Sequence, residues 1–222
     1  MTHVKRLNIN GNPNIGLYGY CNDEYCLLGK EVDKNIAEEI EKVLKVPVHR
    51  ITISGTSLIG VLVNGNSNKL LLPEITRDDE LKALDKLGIN YEVIKTNLTA
   101  FGNNILCNDK GALVNPDFSA VVKKQIRQAL NVTLHPGTVA DVEVVGSCVV
   151  FNSSKGVIHA GATDEDISEV EGLLGVECTK TTANFGSPYL KSAILANSNG
   201  FIVGDASTGV EMANIDEGLG FL

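Results

Sequence analysis

The sequence predicts an α+β protein in which five ββαβ modules form a closed ring, and three observations lead to this prediction. A polar turn followed by an apolar run returns five times, at spacings of 43 to 45 residues. Repetition at such a period is typical of repeat architectures. Residues 6–11 match residues 50–55 position by position at an offset of 44, so the chain begins with the last part of a module. The chain reaches Leu222 just after the helical part of the fifth module, where that last part is missing.

Circular closure accounts for both chain ends, because the N-terminal strand would complete the fifth blade and leave no module edge exposed. We therefore interpret residues 1–222 as a single domain. Its modules would span about 15–58, 59–101, 102–145, 146–190, and 191–222 together with 1–14. A composition of 43% hydrophobic and 21% charged residues is that of an ordinary globular protein with an ample core.

Each module is predicted to run in the order apolar strand, turn, apolar strand, helix, mixed strand. The turns are rich in Asn, Ser and Gly, which tolerate the backbone of tight hairpins. They are expected at residues 22–23, 64–68, 108–111, 152–155 and 197–200.

Helices follow the second apolar strand. Asp33 precedes a stripe of apolar residues at helical spacing, and a third helix is predicted over about 117–130. Three pairs resemble capping boxes: Thr76 with Asp79, Thr163 with Asp166, and Thr208 with Glu211. Glycine at the helix ends permits the positive φ of a C-terminal cap, at Gly88, Gly175 and Gly220.

The mixed strands are predicted at residues 50–54, 91–96, 139–145, 177–181 and, by closure, 4–9. They carry charged residues at alternate positions. One hypothesis is that these strands line a narrow polar channel along the ring axis. The alternative is that they are solvated edges of the blades.

The charge of the chain constrains its partners. The net charge is −8 and no run of Lys and Arg exceeds two residues, which disfavours broad binding to nucleic-acid phosphates. An acidic protein can still dock on a basic protein surface. No window reaches the roughly 18 apolar residues of a membrane span, and residues 1–10 lack the apolar run of a signal peptide. We expect a cytoplasmic monomer with no membrane contact.

Five cysteines with no CxxC pair show no metal-ligand spacing. We expect them to be reduced thiols packed as small apolar groups. The glycine-rich stretch 16–29 is not a phosphate-binding loop, because Gly29-Lys30 is followed by Glu31 where Ser or Thr is required. No metal and no cofactor are expected.

A set of short segments, in this order along the whole chain, resembles the translation initiation factor 6 family of archaea and eukaryotes, which has the pentein fold. The segments are Phe101-Gly102-Asn103, Cys107-Asn108-Asp109, Ala112-Leu113-Val114-Asn115-Pro116, Thr138-Val139-Ala140-Asp141, Val145-Gly146-Ser147 and Asn184 with Gly186-Ser187.

The resemblance implies a protein that binds the large ribosomal subunit on its subunit-joining face. There it would prevent premature association with the small subunit and take part in large-subunit biogenesis. The implied partners are mainly ribosomal proteins beside the sarcin–ricin loop, with little direct contact to nucleic acid. Eukaryotic members have Arg where this chain has Val61 and where it has Phe185, so individual contacts are expected to differ.

The resemblance assigns one partner-binding residue, Asn103, at the ribosome-facing surface. Asn108 and Asn184 are more simply interpreted as turn residues in left-handed backbone or as caps. Gly102, Gly146 and Gly186 are interpreted as backbone requirements.

Two other functions remain open at this point. Enzymes that modify guanidino groups also use the pentein fold, and they need a thiolate nucleophile, a His and carboxylates. In those enzymes the Cys lies near the C-terminus, whereas the last cysteine here is Cys178, and His159 is more simply a structural histidine. We therefore do not expect an enzyme. The second alternative is a scaffold for some other protein partner.

Overall fold

The computed structural model describes residues 3–222 and arranges them as five three-stranded sheets. In every complete blade the first strand pairs antiparallel with the central strand, which pairs parallel with the third. The strands are, blade by blade, β2 (Gly19–Cys21), β3 (Cys26–Gly29), β4 (Val48–Ile51); β5 (Asn64–Gly65), β6 (Leu70–Pro73), β7 (Tyr91–Ile94); β8 (Ile105–Cys107), β9 (Gly111–Val114), β10 (Thr133–Pro136); β11 (Val149–Phe151), β12 (Lys155–His159), β13 (Glu177–Thr181); β14 (Ile194–Asn197), β15 (Gly200–Gly204), β1 (Val4–Leu7).

The ring closes as predicted. Strand β1 pairs parallel with β15, in a register that runs from Val4 opposite Phe201 to Leu7 opposite Gly204. His3 strengthens this junction, because its Nε2 atom lies 2.8 Å from a carboxylate oxygen of Asp216 and its ring stacks on Phe221. The two ends of the chain therefore meet in the fifth blade.

One long helix crosses each blade between its central and third strands and buries an apolar stripe against the sheet. These helices are α1 (Lys34–Leu44), α3 (Asp78–Lys86), α5 (Ala120–Leu130), α6 (Asp164–Leu174) and α8 (Gly209–Gly218). Asp33, Thr163 and Thr208 cap their helices as predicted. Gly88, Gly175 and Gly220 have positive φ, also as predicted.

Two helix starts differ from the prediction. Helix α3 begins one residue later than the Thr76 box implied, because the Thr76 hydroxyl donates to the Pro73 carbonyl at 2.8 Å. The Glu80 carboxylate accepts the Arg77 backbone N–H instead, at 2.9 Å. Helix α5 begins at Ala120 rather than near residue 117, because the Ser119 side chain caps it.

The third mixed strand was predicted in the wrong place. It is β10 rather than residues 139–145, because helix α5 ends on left-handed Asn131 and the strand follows at once. The predicted segment instead forms a tight loop. Val139 and Val142 are bridged across it, and Ala140 and Asp141 have positive φ.

The hypothesis that mixed strands line the axis is also wrong. The third strand of each blade is the edge remote from the axis, and most of its side chains are half-buried or exposed. The first strands contact one another around the axis and are nearly fully buried: β2, β5, β8, β11 and β14. The solvated-edge alternative describes the mixed strands correctly.

Candidate functional site

Five short helical turns precede the first strands and pack against one another around the axis; we call them the axial ring. They are Ile15–Tyr18, α2 (Ile59–Leu62), α4 (Phe101–Asn104), Val145–Ser147 and α7 (Leu190–Ala193). They were not predicted, because one helical turn is too short to show a hydrophobic period.

Glycine is the second residue of four of these turns, at Gly16, Gly60, Gly102 and Gly146. A Cβ atom on Gly60 would overlap the Gly16 carbonyl oxygen, and one on Gly102 would overlap the Gly60 carbonyl oxygen. Close approach of backbones thus excludes any side chain there. The interpretation of Gly102 and Gly146 as backbone requirements is confirmed, and so is that of Gly186, whose φ is 97°.

Lys191 is the second residue of the fifth turn and breaks this pattern. Its ammonium nitrogen reaches across the ring and donates to the Gly102 carbonyl oxygen at 3.0 Å. Burial lowers the pKa of Lys191 to about 8, an effect that the nearby Cys107 and Cys21 thiols partly oppose. It forms no ion pair with any carboxylate of residues 3–222. Aligning the modules on their ring glycines would have placed Lys191 at the fifth glycine position.

A cavity of about 440 Å3 runs along the axis between the first strands, with Lys191 among its lining residues. It continues to the hairpin turns of the blades, where Asp23, Glu24 and Asp109 also line it. These three residues are exposed, so this end is the mouth of the cavity.

An asparagine begins each hairpin turn, and in four of the five turns its side-chain amide donates to a carbonyl group of a neighbouring blade. The Asn108 amide donates to the carbonyl oxygen of Leu174 at 2.8 Å, and Asn152 donates to Leu219 at 2.7 Å. The Asn108 side-chain oxygen also accepts two backbone N–H groups of its own turn. Asn108 is therefore a turn cap rather than a left-handed residue, whereas Asn184 is left-handed as predicted, with φ 49°.

Asn103, the predicted partner-binding residue, is the third residue of α4. It is half-buried, and its side-chain amide has no hydrogen-bond partner among residues 3–222. Its neighbour Asn104 is buried, donates to the Ala100 carbonyl oxygen at 2.9 Å and accepts from Asn115 at 2.8 Å. One turn thus holds a satisfied asparagine beside one whose amide is free to meet a partner.

Large apolar side chains are exposed around the axial ring. Leu58 and Tyr189 immediately precede α2 and α7 and are 39% and 43% exposed. Phe185, in the loop before Tyr189, is 83% exposed. We call the axial ring and these loops the axial-ring face. Isolated exposed apolar residues are ordinary, but several on one face mark a candidate interaction surface.

Carboxylates at three helix starts hold the loops of this face. Glu80 accepts the backbone N–H groups of Ser54 and Gly55, and Asp166 accepts that of Ala140. Glu211 accepts the Gly186 N–H at 2.8 Å and the Thr182 hydroxyl at 2.7 Å. Burial alone would raise the pKa of Glu211, but its hydrogen bonds, led by that from Thr208, lower the pKa to about 2.

The cysteines do not resemble activated nucleophiles. Burial raises the pKa of four thiols to about 12, those of Cys21, Cys107, Cys148 and Cys178. A reactive cysteine needs the opposite shift, because the thiolate is the nucleophile. Burial also lowers the pKa of His159, whose Nδ1 atom accepts the Gly161 N–H at 3.0 Å. Its position agrees with a structural role.

Within residues 3–222, no group of three or more His, Cys, Asp or Glu residues is placed to hold a metal ion. No helix in the same range is long and apolar enough to cross a membrane.

A sequence model of the eIF-6 family matches residues 4–218. The chain belongs to the eIF-6 family. It is 37% identical over 226 residues to the translation initiation factor 6 of Pyrococcus horikoshii, and this alignment covers 99% of this chain and 100% of the relative. The Sulfolobus acidocaldarius protein of the same name is 37% identical over 215 residues, 96% of each chain. The predicted family resemblance is confirmed, and eIF-6 relatives of this name are translation initiation factors rather than enzymes.

Solved structures show the fold of this eIF-6 family member. DDAH from Pseudomonas aeruginosa, complexed with citrulline, has a TM-score of 0.50 at 14% identity and covers 92% of this chain and 73% of its own. The N-terminal domain of ArgZ, an arginine dihydrolase of cyanobacteria, has a TM-score of 0.53 at 8% identity and covers 85% and 72%. At these identities the likeness concerns the fold alone. The predicted pentein ring of five modules is confirmed.

Proposed function

We propose that this protein is a cytoplasmic translation initiation factor that binds the large ribosomal subunit on its subunit-joining face. There it prevents premature association with the small subunit, and it takes part in large-subunit biogenesis. The observation that carries the proposal is the match of the eIF-6 family over residues 4–218, together with relatives of that name over nearly the full chain. The axial-ring face supplies a surface suited to such docking.

The chemistry of that face favours ribosomal proteins, such as those beside the sarcin–ricin loop, over RNA. Its exposed anchors are the apolar side chains of Leu58, Phe185 and Tyr189, beside the free amide of Asn103. Acidic residues crowd the first turns of α3 and α6, whose capped starts hold loops of the same face. Carboxylates beside apolar anchors repel phosphates and suit a basic protein surface.

A guanidino-modifying enzyme is the less supported alternative. The two structural neighbours bind arginine-related molecules in their own chains, but only the fold is shared. The raised pKa values of the thiols, given above, disfavour a cysteine nucleophile. Incubation with a guanidine-type suicide substrate, followed by mass spectrometry, tests this alternative: selective labelling of one cysteine would favour the enzyme.

Co-sedimentation with separated ribosomal subunits tests the main proposal. The protein is expected to sediment with large subunits and not with small ones, and saturating protein should block formation of joined particles. Sedimentation with both subunits alike, or normal joining at saturation, would overturn the proposal.

The salt dependence of the binding affinity distinguishes contacts to RNA phosphates from contacts to ribosomal proteins. A binder held by six to ten phosphates loses on the order of 10³ to 10⁵ in affinity between about 50 and 200 mM salt. A dock on protein depends on salt mainly through its association rate. We therefore expect a shallow dependence, and a steep slope would show that RNA carries the affinity.

A further inference from the structure

The axial cavity has no role in the proposed function. It encloses about 440 Å3, and its mouth lies at the hairpin turns, at the opposite end of the first strands from Asn103. Its lining combines apolar walls, including Leu106, Val149 and Ile194, with asparagine, serine and charged residues that concentrate at the hairpin turns. Apolar cavities with a small number of convergent polar groups are typical of small-molecule sites.

The floor of the cavity carries one cation. Lys191 has three N–H donors, and within residues 3–222 only one of them meets an acceptor, the Gly102 carbonyl oxygen. This ammonium has no carboxylate partner among residues 3–222, so its charge is not balanced by a counter-ion of the protein there. Such a charge is costly unless it is paired, so it favours an anionic group beside it.

The mouth has the opposite charge. Asp23, Glu24 and Asp109 line it, and Lys110 is the one basic residue there. The Lys110 ammonium donates to the Gly175 carbonyl oxygen at 3.0 Å, so it is engaged by the neighbouring blade. Asp23 and Asp109 are held by Ser198 and Ser67 of adjacent turns, whereas Glu24 has no side-chain hydrogen bond within residues 3–222. A simple anion would be repelled at this entrance, while a cationic group would be attracted.

We propose that the axial cavity binds a short zwitterion, with its carboxylate on Lys191 and its cationic group among Asp23, Glu24 and Asp109 at the mouth. The spacing suits such a ligand. The first strand β14 separates the turn of Lys191 from the mouth, and its four residues rise about 13 Å. The ligand class is therefore an ω-amino or ω-guanidino acid with a chain of several methylenes.

The other four turns of the axial ring assemble without a side chain at the position that Lys191 occupies in the fifth. Gly16, Gly60, Gly102 and Gly146 build the equivalent positions of the ring without any side chain. A glycine at the fifth position would complete the same packing. The lysine thus adds a charge to a ring that the other four turns assemble without one.

A matched set of probes tests the proposal: 6-aminohexanoate, hexanoate without the amine, and hexylamine without the carboxylate. Titrations followed by methyl NMR should show 6-aminohexanoate shifting Leu106, Val149 and Ile194 at about 10 mM or below. Hexanoate and hexylamine, which each carry a single charge, should bind at least about tenfold more weakly than 6-aminohexanoate. Hexanoate binding as well as 6-aminohexanoate, or no shift with 6-aminohexanoate at about 10 mM, would overturn the proposal.

Variants locate the site. Lys191→Met keeps the side-chain stem and should weaken 6-aminohexanoate binding about tenfold or more, whereas Lys191→Arg should retain it. Should Lys191→Met fail to fold, Lys191→Gly reproduces the residue of the other four turns and takes its place. Unchanged binding in the folded variant would overturn the assignment. The same variants should still bind the large ribosomal subunit, which separates this proposal from the proposed function.

Discussion

The two ends of the ring axis use the five-fold repeat differently. At the hairpin-turn end, an asparagine begins every turn, and the four at Asn66, Asn108, Asn152 and Asn197 each donate to the last carbonyl groups of a neighbouring helix. At the axial ring, Lys191 takes the place of the repeated glycine in the fifth turn. The third position of these turns has no repeated residue, and in α4 it holds Asn103, whose amide has no partner within residues 3–222. The repeated asparagines and glycines hold the ring together, whereas the candidate binding residues Lys191 and Asn103 stand where the modules differ from one another.

Both ends of the ring axis depend on closure of the ring, so deletion of the closing strand should cause the largest loss of stability. Deleting residues 1–10 removes β1 and His3 and leaves the buried strand β15 as an unpaired edge. We expect a loss of several kcal/mol, a large fraction of a typical folding free energy, because buried backbone groups lose their partners. Thermal unfolding measures it.

A circular permutant provides the control for this deletion. It begins at Ile15 and carries residues 1–14 after Leu222 through a short linker, which the stacking of His3 on Phe221 shows to be feasible. It should unfold near the temperature of the natural chain. Unchanged melting of the deletion itself would contradict the closed ring.

Substitution of a glycine in the axial ring should have the second-largest effect on stability. Gly102→Ala places a methyl group against the Gly60 carbonyl oxygen, so backbones must separate at the axis. We expect about 3 kcal/mol of destabilisation. Gly172→Ala is the matched control, since Gly172 lies in helix α6 with open space around it and alanine there should stabilise by about 1 kcal/mol. Urea unfolding measures the free energy of unfolding of both variants. Equal stability of Gly102→Ala and Gly172→Ala would show that the axial ring is not tightly packed.

The loops of the axial-ring face should be sensitive to acid through Glu211. Its pKa of about 2 in the folded protein lies below the ordinary 4.5, so its stabilisation is complete above pH 4.5 and is lost as pH falls toward 2. The full contribution is about 3 kcal/mol. Glu211→Gln should therefore be less stable by about 2 kcal/mol at neutral pH, with a gap to the natural protein that narrows below pH 4.5.

Urea unfolding at a series of pH values measures this gap. The exposed Glu165→Gln, which removes a carboxylate from the first turn of α6, should change stability little at any pH. A gap for Glu211→Gln that is constant from neutral pH to pH 3 would contradict the role given to its ionised hydrogen bonds.

Features set by local sequence were predictable, and those set by the meeting of distant turns were not. Asn and Gly mark hairpins through their own backbone preferences, so the turn at Asn152 could be placed from sequence alone. The axial turns bury few residues each and show no period, so they were missed. The charged residues of the third strands led to the wrong prediction of an axial channel, because an edge strand at the rim also exposes charged side chains to water. Asn103 was assigned through family resemblance, and its lack of a partner is visible only in three dimensions.

Asn103 should give the smallest effect on stability and a clear effect on binding. Its side-chain amide makes no hydrogen bond within residues 3–222, so Asn103→Ser and Asn103→Arg should each change the free energy of unfolding by less than about 0.5 kcal/mol. Both should weaken co-sedimentation with large ribosomal subunits, Arg more than Ser, because the longer charged side chain also blocks close approach at the axial-ring face.

The neighbouring residue is the control that makes this comparison sharp. Asn104→Ser removes the hydrogen bonds to Ala100 and Asn115 in the same turn and should cost about 1–3 kcal/mol. Its folded fraction should nevertheless bind the large subunit, since the Asn103 amide and the exposed apolar side chains remain in place. The opposite pattern, with Asn103 variants unfolding early or Asn104→Ser alone losing binding, would show Asn103 to be structural. The assignment of the Asn103 amide to partner binding would then be wrong.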